Sequence, residues 1–117
     1  MSELQEFDAD CNKIVDLSFI LGFPKIEQVN VKENSISHIP KMELEYLENL
    51  YLVKNEIKNI NEFAESFLPQ LKVLDLEKNK IKELPVLTFE ELVELDVSEN
   101  ELEHIGNLYK STQMYKI

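Results

Sequence analysis

Arginine is absent from this 117-residue chain: all 12 basic residues are lysines, set against 23 acidic ones, for a formal net charge of −11. Without the guanidinium fork that grips phosphate and guanine, and with an acidic field that repels polyanions, direct binding of nucleic acid or of an anionic membrane is not expected. Cysteine occurs once, as Cys11, which excludes an internal disulfide framework and a multi-cysteine zinc site. Its surroundings are not basic enough to favour a thiolate, so a structural thiol is expected. Glycine occurs only as Gly22 and Gly106, too few for a phosphate-cradling loop or the turn of a calcium loop. No apolar run approaches the roughly 18 residues of a membrane span. The start, MSELQEFDADCNK, is acidic and unlike a signal peptide, so a cytoplasmic or nuclear setting is expected. The length suits one domain, 1–117, with a modest core.

What the chain does have is self-similarity. LENLYLVKNEIKNI (47–60), LKVLDLEKNKIKEL (71–84) and LVELDVSENELEHI (92–105) all fit the template LxxLxLxxNxLxxL. IEQVNVKENSISHI (26–39) and LQEFDADCNKIVDL (4–17) extend it upstream, with only Ala9 a weak match. Repeats therefore start at residues 4, 26, 47, 71 and 92, and a partial sixth starts at 114, with Met114 and Ile117 on the first and fourth template positions. Apolar residues also recur three positions beyond each core (Ile20, Met42, Phe63, Leu87, Leu108) and three before it (Met1, Phe23, Leu44, Leu68, Phe89). The pattern resembles the leucine-rich repeat family, in its short, roughly 22-residue intracellular class typified by the protein phosphatase 1 regulatory subunit. That resemblance implies an α/β fold, a right-handed solenoid with a short parallel β-sheet on its concave face and turns, 3-10 segments and a short helix on the convex side. It also implies a protein-interaction module rather than an enzyme.

Each template position has a physical reason. LxL is strand alternation, with the aliphatics pointing inward and the x residues outward. One repeat cannot bury its own apolar face, and stacked repeats share one core. Asn12, Asn34, Asn55, Asn79 and Asn100 fall where the chain leaves the strand, and a carboxamide there satisfies backbone groups beyond the sheet ladder, forming a structural ladder of Asn. Pro24, Pro40, Pro69 and Pro85 all avoid the strands. The third repeat is longer by a segment within NEFAESFLPQ (61–70), where Asn61 is expected to cap a short helix that buries Phe63, Phe67 and Leu68.

The outward positions give a surface map. The residue between the paired aliphatics runs Asp8, Asn30, Tyr51, Asp75, Asp96; the column before it runs Glu6, Gln28, Asn49, Val73, Glu94. The column after runs Asp10, Lys32, Val53, Glu77, Ser98, followed by Cys11, Glu33, Lys54, Lys78, Glu99. Tyr51, Val53 and Val73 form an apolar spot among Asn49, Asp75, Glu77, Glu94 and Asp96, suited to a protein partner with an apolar anchor and basic flanks. Acidic strand residues serving only solubility are the competing reading.

No catalytic residue, cofactor or metal site is expected: His38 and His104 stand about 14 Å apart at the strand spacing, and Asp75 and Glu77 are alternating outward positions. The end repeats lack a recognisable cap, so partners or further repeats are expected to cover them. An alternative function is a structural subunit of a cytoskeletal, ciliary or ribonucleoprotein assembly, held by its ends and convex side.

Overall fold

The computed structural model describes residues 3–103 and 114–116; the expectations that fell on Met1, His104, Leu108 and Ile117 lie outside them. Each LxL unit contributes one short strand: β1 Glu6–Asp8, β2 Gln28–Asn30, β3 Asn49–Tyr51, β4 Val73–Asp75, β5 Glu94–Asp96 and β6 Met114–Lys116. The six pair in parallel and in chain order. A parallel neighbour requires a full crossover back to the same edge, and consecutive order makes every crossover one turn of a solenoid. Phe7, Val29, Leu50, Leu74 and Leu95 lie in one row of the register.

Inside the coil the template aliphatics are buried, among them Leu47, Leu50, Leu52, Ile57 and Ile60 of the third repeat and Leu71, Leu74, Leu76 and Ile81 of the fourth. Each such burial contributes about 1.5–3 kcal/mol. Leu4, Phe7, Ala9 and Ile14 of the first repeat are only partly buried, because among the described residues a turn packs on one side of them alone.

The sixth strand departs from the template. Met114 pairs with Glu94, and Tyr115 with Leu95, so the repeat register runs from residue 112 rather than 114. The alternation that continues the column is Tyr115, Lys116, Ile117 in the sequence, apolar, polar, apolar. Anchoring on the aliphatic Met114 placed the strand two residues late.

As each of the five described turns leaves its strand, the residue just before the template Asn has a left-handed backbone: Cys11, Glu33, Lys54, Lys78 and Glu99, with φ of 57°, 54°, 58°, 59° and 53°. None is glycine, so each position holds roughly 1–2 kcal/mol of steric cost. The reversal aims the following Asn inward. Asn55 Oδ1 accepts from Ile36 N–H of the preceding turn (2.9 Å), and its Nδ2 donates to Leu52 C=O of its own turn and to Val31 C=O of the preceding one, each at 3.1 Å. Asn34, Asn79 and Asn100 repeat this arrangement. The carboxamides are thus tied through backbone rather than to one another. Asn12 differs, being exposed and donating only to Ala9 and Asp10 of its own turn.

The crossovers hold two 3-10 helices. The first, Leu17–Gly22, begins where Asp16 accepts from Ser18 N–H at 2.8 Å; the Ser18 side chain first, then this N–H, hold the Asp16 carboxyl below the usual range. The second, Asn61–Glu65, corrects the expected helix in 61–70. Asn61 is not its side-chain cap; Asn59 Oδ1 accepts from Asn61 N–H instead. The helix stops at Ser66, whose backbone is extended and whose Oγ donates to Glu62 C=O and accepts from Met42 N–H. With the helical period ended there, Phe63 and Leu68 turn inward while Phe67 is 59% exposed.

Candidate functional site

The sheet register sets the outward columns side by side. Tyr51 stands between Asn30 and Asp75, and Asp75 is followed by Asp96. Asn49 stands between Gln28 and Val73, and Val73 is followed by Glu94. Tyr51, Val53, Val73, Asp75, Glu77 and Glu94 are half-buried rather than fully exposed, because strands about 4.8 Å apart make neighbouring outward side chains cover one another. Asn49 Nδ2 donates to Gln28 Oε1 across the strands at 3.3 Å.

Asp96 needs a stronger correction. Expected on the surface, it is 7% exposed, and its Oδ1 accepts from both the backbone N–H (3.0 Å) and the hydroxyl of Ser98. The same turn recurs where Asp75 Oδ1 accepts from Glu77 N–H at 3.1 Å and Asn30 Oδ1 from Lys32 N–H at 3.3 Å. An Asp or Asn that caps the N–H two residues on is a known turn-forming device, so this column is partly structural. Tyr51 cannot make such a bond, and the turn does not account for an aromatic there.

The two acidic strands bring a third carboxylate to the pair named from the sequence. Oxygens of Asp75, Glu77 and Asp96 lie within 4.8 Å of one another, the only such acidic group found among the described residues. Two of the three are already engaged in turns, and the physical consequence is concentrated negative charge. Burial first, then the charges of Asp96 and Asp75, push the Glu77 carboxyl above its ordinary value of 4.5. A folded-state value above the unfolded one means stability that is full at low pH and lost as pH rises through the folded value. Glu77→Gln is therefore expected to raise the urea midpoint at pH 7 and to leave it unchanged at pH 3.5, where the wild-type carboxyl is protonated in both states; midpoints at the two pH values check this.

At the other end of the sheet, Asp10 is raised by its hydrogen bond to Asp8. Cys11 Sγ donates to Glu33 Oε2 at 2.9 Å. That bond raises the thiol and lowers the Glu33 carboxyl, so Cys11 is held as a thiol, the weaker nucleophile. No helix among the described residues is long and apolar enough to cross a membrane.

A family model described as leucine rich repeat matches residues 45–102, a span that contains β3, β4 and β5. The match is to the repeat in general and does not single out one class of it. Among curated proteins none matches this chain.

Proposed function

Since the chain belongs to the leucine-rich repeat proteins, whose domains generally mediate protein–protein interaction and are typically non-enzymatic, we propose that its outward sheet face docks a segment of a partner protein. The segment is a peptide or helix bearing an apolar anchor flanked by Lys or Arg, met in a cytoplasmic or nuclear setting. One observation carries the reading: the pairing of β3 with β4 and of β4 with β5 puts Tyr51 beside Asp75 and Asp75 beside Asp96, with Val73 on the same face. An amphipathic aromatic with aliphatic neighbours supplies contact area at small entropic cost, and the adjoining carboxylates select and steer a basic flank. Asn49, Val53, Glu77 and Glu94 complete the face.

Affinity capture from native cells with the wild-type chain identifies the partner, whose binding to Tyr51→Ala and Asp75→Lys is then measured by calorimetry. Each substitution is expected to weaken binding at least ten-fold with far-ultraviolet circular dichroism unchanged. Wild-type affinity in both variants would overturn the reading. A second reading, a subunit held by its end turns and convex side, draws on the first turn, where Val15 and Leu21 are 56% and 41% exposed and the rings of Phe7 and Phe19 meet at a tilt of 59°. Under it, Leu21→Asp abolishes incorporation and the two sheet-face substitutions do not.

A further inference from the structure

The sheet face makes no use of the long third repeat. That repeat spans 24 residues (47–70) and the fourth 21 (71–91), so their crossovers cannot run in parallel throughout. On one side Phe67 is fixed to the second repeat: its N–H donates to Met42 C=O at 2.7 Å, and its C=O accepts from Leu44 N–H at 3.1 Å. On the other side the crossovers part around a cavity of about 250 Å³, lined by Phe67, Leu68 and Pro69 from one and Thr88, Phe89 and Glu90 from the other.

The cavity reaches the core. Leu68 and Phe89 are 2% and 5% exposed, and the Phe89 ring meets Phe63 edge-on at 6.3 Å between centroids. Its rim is the exposed ring of Phe67. A large aromatic left 59% exposed beside a partly apolar hollow is apolar surface that a contact there would take out of water. The hollow is smaller than the roughly 300–1,000 Å³ of small-molecule pockets, and it matches a single side chain better.

Charge indicates what that side chain belongs to. The crossover stretches 40–47, 61–70 and 85–91 carry Glu43, Glu45, Glu62, Glu65, Glu90 and Glu91 against one lysine, Lys41. The lysines of the third and fourth repeats lie elsewhere, at Lys54, Lys58, Lys72, Lys78, Lys80 and Lys82, and four of these, Lys54, Lys72, Lys78 and Lys80, are already paired with Glu33, Glu48, Glu99 and Glu56. The crossover side is thus a predominantly acidic strip with an aromatic-rimmed hollow in it. We propose that this hollow is a second docking site, taking an extended basic segment of a partner protein whose single aliphatic side chain packs against Phe67, Leu68 and Phe89 while its lysines or arginines lie over the flanking glutamates. It shares no residue with the sheet face, and its occupation does not depend on that reading.

The probe is an acetylated, amidated heptapeptide with a central leucine and three lysines on each side, titrated into the isotope-labelled full chain. Saturable amide shifts centred on residues 66–68 and 88–90 are expected. Affinity should fall at least five-fold when the central leucine is replaced by serine or when Phe67→Ser is introduced, and stay unchanged in Tyr51→Ala. Phe67 is exposed, so its loss leaves the core in place, and Glu90→Lys provides a second variant expected to weaken binding. Shifts spread over the acidic surface and indifferent to the leucine would overturn the proposal, as would shifts centred on residues 51, 53 and 73 or none at millimolar peptide.

Discussion

Asn79→Leu is expected to lower the free energy of unfolding by about 3 kcal/mol, whereas Asn12→Leu is expected to change it by less than about 0.5 kcal/mol. Both residues occupy the same template position, and the contrast rests on what their carboxamides reach. Asn79 is buried, with Oδ1 accepting from Ile57 N–H at 3.1 Å and Nδ2 donating to Leu52 C=O at 2.9 Å and Leu76 C=O at 3.0 Å. Leucine has the same branched outline and is bulkier, so no space opens for a replacement water, and one buried N–H is left without an acceptor while the carbonyls of Leu52, Leu76 and Glu77 lose a donor. A stranded buried group costs about 1–3 kcal/mol and a lost bond about 1. Asn12 is exposed and bonds only to Ala9 and Asp10, groups that water can serve. Urea midpoints with an unchanged slope measure both substitutions. Equal losses at the two positions would mean that the Asn acts within its own turn, and the bonds to the preceding repeat would then contribute little.

This difference between equivalent positions marks where the sequence was legible and where it was not. Strand positions and the side-by-side order of the outward columns were readable because a two-residue alternation and a fixed template leave one register: Tyr51 beside Asp75, as the columns predict, is the pairing found. Which outward residues are spoken for was harder to read. Asp96 reads as a surface acid, yet it bonds to Ser98 N–H and hydroxyl, and an Asp or Asn three residues before a left-handed residue is itself a signal. The left-handed positions carry Cys, Glu and Lys rather than glycine, so residue type concealed them. The columns set Asp75 beside Asp96, but the approach of all three carboxylates, Asp75, Glu77 and Asp96, to within 4.8 Å depends on side-chain placement that no column displays. The sixth strand was misplaced because one aliphatic outweighed the alternation that sets pairing.

The insertion in the third repeat shows the same limit most sharply, and it supplies the other large effect. Phe63→Ala is expected to cost about 4 kcal/mol and Phe67→Ala less than about 0.5 kcal/mol, although helical spacing assigns both rings to one buried face. The 3-10 helix runs only from Asn61 to Glu65, and Ser66 is extended, so four residues no longer return the chain to the same side. Phe63 is 1% exposed and holds Phe89 edge-on; its truncation leaves a void that the neighbouring turns, tied by backbone bonds on both sides, can close only in part. Phe67 is fastened by its backbone to Met42 and Leu44 while its ring stays in solvent. Urea unfolding of the two variants separates a local 3-10 turn from a continuing α-helix: comparable losses would place both rings in the core, and a loss at Phe63 alone leaves Phe67 free for contact with a partner.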